Sequence, residues 1–319
     1  MGSHHAPEPD TVAHSRTLIA IATGTITLLA SLSVILRLAS RILNRLGVRW
    51  DDWACVGALV FAYGYLATTI VAAVLAADRL LYQPWEHGFS HIAFYLQQLI
   101  LPNSILYNTS VSLCKISILL FYTRIFSTSR PLQMTVYIVA AFIAAYWISV
   151  ICGSIFMTDP IEAQWKMWIS HRRINTFRFY LTMGVANTVL DLVVLVIPQP
   201  LVCGLQMGRR QRVSVSFVFA LGGFVCIASI VRIYFIATMN MSDAHYTHTN
   251  ATLWTMIEMN TGIICTCLPM LPGFVQYFHR RYFARKSSTA ATEGALVSRD
   301  MTYSPLPHHV EEGSSVREA

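Results

Sequence analysis

Residues 132–157 read LQMTVYIVAAFIAAYWISVICGSIFM, a stretch without one charged side chain. A helix needs roughly 20 apolar residues to cross about 30 Å of hydrocarbon. The apolar residues of this stretch run on without the strict alternation that marks a strand of a membrane β-barrel. The stretch therefore predicts a transmembrane helix.

The composition extends this conclusion to the whole chain. Of the 319 residues, 55% are hydrophobic and 12% are charged, and the mean hydropathy is +0.51. An average soluble domain carries about 25% charged residues. So little charge could not cover the apolar surface of a soluble fold, and a disordered chain would be poor in apolar residues. Both classes are excluded, and the net charge of +7 concerns orientation in a bilayer and not nucleic acid.

Six further stretches are comparable in length and apolarity, so the sequence predicts an all-α fold, a bundle of seven transmembrane helices. The predicted spans are 17–39, 53–77, 94–122, 132–157, 179–203, 213–238 and 253–275. Residues 17–283 form the seven-helix domain on this reading. Residues 1–16 form a polar N-terminal segment before it, and 284–319 form a disordered tail after it.

The loops between the predicted spans set the orientation. About 13 Lys and Arg residues fall on one side of the bundle and about 6 on the other. Because basic residues are enriched in cytoplasmic loops, this bias predicts an N-terminus outside and a C-terminus in the cytoplasm. Asn240 and Asn250 begin two sequons in the predicted outer loop before the seventh span, where they are candidates for glycosylation.

Four ionisable residues interrupt the apolar spans: Lys115, Asp191, Arg232 and Glu258. Such residues are costly in a membrane and usually face the bundle interior or a wet cavity. Counting 1.5 Å per residue places Arg232 and Glu258 at similar depth on consecutive helices, and brings Lys115 within reach of Asp191. The sequence therefore predicts two ion pairs. Two interpretations stay open: the pairs fix the register of the helices, or they line a cavity that binds or transforms a ligand.

Polar and aromatic neighbours favour a cavity. Asn187 lies one helical turn from Asp191, and Trp254 lies one turn from Glu258. The middle of the third span is unusually polar and includes Asn103 and Tyr107. Candidate ligand-binding residues are Asn103, Tyr107, Asn187 and Trp254.

These motifs combine into a specific resemblance. They are RWDDW at 49–53, SVSLCKISILLFY at 110–122, LGGFVCIASIVR at 221–232, Asn187 with Asp191, and Trp254 with Glu258. Together they resemble the fungal rhodopsin-domain family of integral membrane proteins, of the satratoxin-cluster type, which is related to receptor-like proteins of fungal pathogenesis. The resemblance covers about residues 17–283.

The resemblance implies a filamentous fungal source, seven helices and a role in secondary metabolism, since members are frequently encoded in such gene clusters. It also implies a disulfide in the loop between spans four and five. Thr158 and Arg173 stand where members commonly carry those cysteines, so the disulfide is not expected here. A retinal pigment is not expected either, because known rhodopsins attach retinal to a lysine on the seventh span, which has none here.

One functional hypothesis is a cofactor-independent, membrane-embedded cyclase or isomerase that acts on a lipophilic polyketide or terpenoid. Asp191 or Glu258 would act as general acid or base, and Arg232 or Lys115 would stabilise developing negative charge. No cofactor motif and no convincing metal site is visible, so neither a cofactor nor a metal is expected.

A second hypothesis is a G-protein-coupled-receptor-like sensor of an extracellular ligand. A transporter is a weaker third, since the spans show no inverted repeat. The expected partners are the lipid bilayer, a small lipophilic metabolite, and either other pathway enzymes or a G protein. The expected location is the plasma membrane or an endomembrane.

Overall fold

The computed structural model describes the backbone of residues 9–44, 47–81, 88–125, 130–164, 172–199, 209–238 and 244–270. The chain divides into two units, Met1–Pro272 and Gly273–Ala319, and every described residue lies in the first. The predicted tail at 284–319 therefore lies outside the described residues, as does Asn240.

The described residues form seven α-helices, in agreement with the predicted all-α fold. They are α1 (Pro9–Leu43), α2 (Trp50–Leu81), α3 (Gly88–Ile125), α4 (Arg130–Ile155), α5 (Thr176–Val196), α6 (Arg209–Ala237) and α7 (Ala244–Cys267). A short 3₁₀ helix, Leu268–Met270, continues α7.

Six of these helices contain a stretch long and apolar enough to cross a membrane. The stretches are Ile21–Leu43, Trp50–Val74, Gln98–Arg124, Arg130–Ile155, Thr176–Val196 and Phe219–Ala237. The described part of α7 is not among them. The helix packs against α6, α1, α3 and α2, and its Met256, Met259 and Ile263 are fully buried. A helix enclosed in this way needs fewer apolar residues, because its neighbours shield it from the surroundings.

The distribution of side chains is that of a membrane bundle. Large apolar side chains face outward, such as Leu28, Phe142 and Ile227, which are 66%, 64% and 57% exposed. Polar side chains such as Ser110 and Asn260 are fully buried. In hydrocarbon the outward surface has to be apolar, while polar groups find hydrogen-bond partners between the helices.

Small residues allow α2 and α3 to pack closely. A Cβ atom at Gly57 would lie 3.3 Å from a methyl carbon of Leu113, and one at Gly64 would lie 3.1 Å from a methyl carbon of Leu106. These distances leave little room for a side chain at either glycine. The close approach also lets Ser110 Oγ donate a hydrogen bond to the backbone oxygen of Ala58 across the interface at 2.8 Å.

Several helix ends differ from their predicted positions. α1 begins at Pro9, inside the predicted N-terminal segment, since proline is well suited to the first turn of a helix. α5 ends at Val196, earlier than predicted, because Pro198 and Pro200 follow directly and cannot donate helical hydrogen bonds. α7 begins at Ala244, so Asn250 lies within a helix and not in the loop predicted for it.

A two-stranded hairpin joins α4 to α5. The strand β1 (Thr158–Asp159) pairs in antiparallel fashion with β2 (Arg172–Arg173). The register places Thr158 opposite Arg173. The two positions where the family resemblance implied cysteines are therefore neighbours, and backbone pairing joins the strands there.

Candidate functional site

Four charged residues meet in the middle of the bundle, and we call them the central cluster: Lys115, Asp191, Arg232 and Glu258. Lys115 Nζ lies 3.3 Å from Asp191 Oδ1, and Arg232 Nε lies 3.0 Å from Glu258 Oε2. Both predicted ion pairs are confirmed. The four residues come from α3, α5, α6 and α7, so the cluster ties four helices together.

Asn187 joins the two ion pairs. Its side-chain oxygen accepts a hydrogen bond from Lys115 Nζ at 2.6 Å, and its backbone oxygen accepts another at 3.1 Å. Its amide nitrogen donates to Glu258 Oε1 at 2.9 Å and lies 3.3 Å from Asp191 Oδ2. An amide suits this position, because it can accept from a cation and donate to a carboxylate at the same time.

Glu258 is held by hydroxyl groups as well. Tyr107 donates to Glu258 Oε1 at 3.0 Å, and Ser229 donates to the same oxygen at 2.8 Å. Ser229 was not among the predicted site residues. It lies three positions before Arg232 on α6, so helical spacing places both side chains on one face, and that spacing was the available signal.

The central cluster is electrically balanced and buried. It contains two cations and two carboxylates, and Lys115, Arg232 and Glu258 are each no more than 5% exposed. Removing one partner of a buried ion pair leaves an uncompensated charge, which typically costs about 3–5 kcal/mol. The cluster therefore constrains the relative positions of its four helices strongly.

A cavity lies on one side of the central cluster, and we call it the Arg232 cavity. It offers about 170 Å³ of space between side chains that include Tyr65, Asn103, Tyr107, Tyr146, Tyr180 and Arg232. The guanidinium carbon of Arg232 lies 4.6 Å from the centre of the Tyr107 ring. Arg232 Nη2 is buried and has no hydrogen-bond partner among the described residues.

A second cavity, the Lys115 cavity, lies on the other side of the cluster. It is smaller, with about 60 Å³ of space, and its lining includes Lys115, Phe121, Asp191, Leu195, Glu258 and Met259. The α3 residues that line the Arg232 cavity lie within 100–108, whereas those that line the Lys115 cavity lie within 111–122. The cluster therefore separates an aromatic, partly polar cavity from a mainly apolar one.

The predicted ligand-binding residues fall into three groups. Asn103 and Tyr107 line the Arg232 cavity, and Asn103 also accepts a hydrogen bond from Thr68. Asn187 belongs to the network around the central cluster. Trp254 lies on α7 in a partly buried position, but it lines neither of the two cavities. The structure thus brings together three of the four predicted residues.

A second buried ionic group, which was not predicted from the sequence, joins α1 to α2. Arg37 lies 2.8 Å from both Asp51 Oδ2 and Asp52 Oδ1, and Arg41 pairs with the same two carboxylates. Arg37 also donates to the backbone oxygen of Thr266 on α7 at 2.5 Å. The signal was present in the four-residue spacing of the arginines, which places both on one helix face opposite an acidic helix start.

The comparisons with known proteins agree with this architecture. A family profile for the fungal rhodopsin domain matches residues 36–277. The chain is similar to "Receptor GIN3" of Arthrobotrys oligospora, with 28% identity over 84% of this chain and 65% of that protein. It is also similar to "SAT4 family membrane protein" of Emericella nidulans, with 31% identity over 55% of this chain and 45% of that protein.

A third relative is "Satratoxin biosynthesis SC1 cluster protein 4" of Stachybotrys chartarum, with 26% identity over 52% of this chain and 60% of that protein. The chain thus spans between 45% and 65% of the length of these curated relatives. No solved structure matches the chain. The profile covers most of the chain, and the protein is therefore an integral multi-pass membrane protein that belongs to the fungal rhodopsin domain family and is related to fungal secondary-metabolite cluster proteins.

Proposed function

We propose that this protein is a receptor-like sensor that binds a small lipophilic metabolite in the Arg232 cavity. The observation that carries the proposal is Arg232 itself. Its Nε takes part in the central cluster, while Arg232 also lines the cavity and its buried Nη2 has no hydrogen-bond partner among the described residues. A ligand that engages Nη2 would act directly on the ion pair between α6 and α7.

Such a contact offers a simple route to a conformational response. A ligand shifts an equilibrium between two conformations only by its difference in affinity for them. A ligand that draws the Arg232 guanidinium toward the cavity weakens its hold on Glu258, which also accepts hydrogen bonds from Tyr107, Asn187 and Ser229. Rearrangement of those bonds would move α7 relative to α3 and α5.

The state of the carboxylates favours binding over catalysis. A general base has to reach the proton that it abstracts, within about 2.6–3.2 Å. Glu258 Oε1 already accepts three hydrogen bonds, and Oε2 lies against Arg232. Using Glu258 as a base would first require the cluster to open.

The proposal includes α7 as a seventh span, an N-terminus outside and a C-terminus in the cytoplasm, as the basic loops predict. A G protein is then the proposed cytoplasmic partner, in line with the name of the Arthrobotrys relative, which describes a receptor. Asn240 and Asn250 remain proposed glycosylation sites. For Asn250, its place inside α7 is unfavourable, since sequons are typically modified in surface loops.

A second candidate function is supported by the Lys115 cavity. Its lining includes Lys115, Asp191 and Glu258, and the Asp191 side chain is 10% exposed. A lipophilic polyketide or terpenoid would have to widen this cavity, which offers about 60 Å³, and would then meet an acid–base pair in apolar surroundings. The candidate is a cofactor-independent cyclase or isomerase with Asp191 as general acid or base and Lys115 as its electrostatic partner. The satratoxin relative is named for a biosynthesis cluster, which fits a role beside other pathway enzymes.

One experiment separates the two candidates. The protein is reconstituted in lipid nanodiscs with a fungal G-protein heterotrimer and exposed to an organic-solvent extract of the native host. Nucleotide exchange on the Gα subunit and the composition of the extract are followed in parallel. Three glycine-to-alanine variants locate the site. G184A adds a methyl to the Arg232 cavity, 3.3 Å from Ile233 Cγ1. G222A adds one to the Lys115 cavity and has to displace Leu195, whose Cδ1 would lie 2.6 Å away. G223A adds one where no atom lies within 4 Å.

If the protein is a sensor, the extract should stimulate nucleotide exchange on Gα without any compound being consumed. G184A should reduce this exchange, and G223A should leave it unchanged. If the protein is an isomerase, one compound of the extract should be converted without nucleotide exchange, and G222A should reduce the rate of that conversion. Exchange equally insensitive to all three variants would contradict binding in the Arg232 cavity. If the extract causes no nucleotide exchange and none of its compounds is converted, both candidates are contradicted.

A further inference from the structure

The proposed sensor leaves open what kind of molecule the Arg232 cavity accepts, and its charges and hydrogen bonds narrow the choice. We infer that the ligand is an uncharged, largely apolar aromatic or conjugated molecule whose carbonyl oxygen, from a ketone or lactone, accepts a hydrogen bond from Arg232. This inference rests on the proposed function. It adds the chemical class of the ligand.

The first step is the direction of the free donor. Arg232 Nε lies 3.0 Å from Glu258 Oε2, and the guanidinium carbon lies 4.6 Å from the centre of the Tyr107 ring. Nη2 lies on the side of α5, where a Cβ atom at Gly184 would be 3.9 Å away. Gly184 lines the Arg232 cavity, so the space beside Nη2 belongs to that cavity. A buried donor without a partner is costly, and an acceptor oxygen in the cavity would satisfy it.

The second step is charge. The Arg232 guanidinium suggests an anionic ligand at first sight, but the central cluster already contains two carboxylates against two cations. The other described residues that line the cavity are uncharged. A carboxylate ligand would therefore place a third negative charge among two positive ones in the bundle interior. A neutral oxygen satisfies Nη2 and leaves the charges balanced, which makes a carbonyl the better match.

The third step is the rest of the lining. Two tyrosines of the cavity use their hydroxyl groups inside the protein: Tyr107 donates to Glu258, and Tyr146 lies 3.2 Å from both Asn108 Oδ1 and the backbone oxygen of Met183. Their rings form part of the cavity wall, and the Tyr107 ring also contacts the Arg232 guanidinium. With Val150 and Ile236, these rings make a lining that suits flat, apolar molecules. The cavity offers about 170 Å³ of space. This is less than the roughly 300–1,000 Å³ of most small-molecule sites, so it suits a compact ligand.

The test uses probes of one shape and different polarity. Benzophenone, an aromatic ketone that crosslinks to nearby C–H bonds under ultraviolet light, labels the purified full-length protein in nanodiscs, and peptide mass spectrometry locates the label. Three competitors share one ring system: fluorenone has a carbonyl, fluorene has none, and fluorene-9-carboxylate carries a charge. We expect label within the Arg232 cavity, and competition by fluorenone at a concentration about tenfold lower than by fluorene, with the carboxylate weakest.

Variants connect that preference to Arg232. R232K keeps the positive charge opposite Glu258 but removes the guanidinium fork, so fluorenone and fluorene should compete about equally. G184A leaves every charge in place and adds a methyl beside Nη2, so it should weaken labelling even if R232K does not fold. G223A, an alanine substitution into open space, is the matched control and should behave as the wild type.

Each outcome has a defined meaning. Equal competition by fluorenone and fluorene in the wild type overturns the carbonyl assignment, and the strongest competition by the carboxylate overturns the argument from charge balance. In both cases, labelling that G184A still reduces leaves the proposed binding cavity intact. Labelling that no competitor displaces, or that G184A does not affect, overturns the inference and the proposed binding site together.

Discussion

Replacing Glu258 with glutamine is the most direct perturbation of the central cluster. The amide keeps the size of the side chain and an oxygen that can accept from Tyr107 and Ser229, but it removes the negative charge 3.0 Å from Arg232. The guanidinium is then left uncompensated in the bundle interior, where it is 5% exposed. Breaking a buried ion pair in this way costs about 3–5 kcal/mol. We expect E258Q to lower the free energy of unfolding by about that amount.

The assay is unfolding by sodium dodecyl sulfate in mixed micelles, followed by tryptophan fluorescence. Four proteins form a double-mutant cycle: the wild type, R232M, E258Q and R232M/E258Q. The double variant removes both charges of the pair, so neither is left uncompensated. Its loss in free energy of unfolding should therefore be smaller than the sum of the two single losses by about 1–3 kcal/mol. I227L, at an outward-facing position of α6, serves as the control and should change stability by no more than about 0.5 kcal/mol.

Two results would refute this reasoning. If E258Q is as stable as the wild type, the charge opposite Arg232 contributes nothing that an amide cannot replace. If the losses of R232M and E258Q simply add, the two residues do not interact in the folded protein. Either result would remove the basis for treating the cluster as the link between the Arg232 cavity and α7.

Three further predictions concern other contacts. S229A should lower the free energy of unfolding by about 1–3 kcal/mol in the same assay, because Glu258 loses a donor at 2.8 Å; no change would show that the carboxylate is satisfied without it. G64V should lower the free energy of unfolding by about 1–3 kcal/mol, because a larger side chain forces α2 and α3 apart. Adding L106A should restore part of this loss, and a double variant no more stable than G64V would argue against the close contact. T158C/R173C should form a disulfide under mild oxidation, seen as a reductant-sensitive shift on a gel, since the two residues are paired across the hairpin; neither single variant should show the shift.

The apolar spans were accessible to sequence analysis because a bilayer imposes a length and a composition on each helix. A stretch such as 132–157 can be recognised without knowing its neighbours, and α4 indeed occupies Arg130–Ile155. The exceptions are instructive. α7 was predicted from the same kind of pattern, but its described part has no stretch as apolar as those of the other six helices, since its surroundings are mostly other helices.

The partners within the central cluster were also predictable, because helical rise converts residue number into depth. That argument paired Lys115 with Asp191 and Arg232 with Glu258, as the structure shows. Depth alone says nothing about rotation around a helix axis. Trp254 lies at the right depth, yet it lines neither of the two cavities, whereas Ser229 reaches Glu258.

The sequence by itself determined that the chain is a membrane bundle, that its described part is built from seven helices, and that four charged residues lie within the apolar spans. The physical reason is that these properties depend on one helix and its solvent at a time. Only the tertiary structure decided that Asn187 bridges the two ion pairs, that Arg37 and Arg41 meet Asp51 and Asp52, and that cavities lie on both sides of the central cluster. Those features depend on how several helices are rotated and packed against one another, which no single helix specifies.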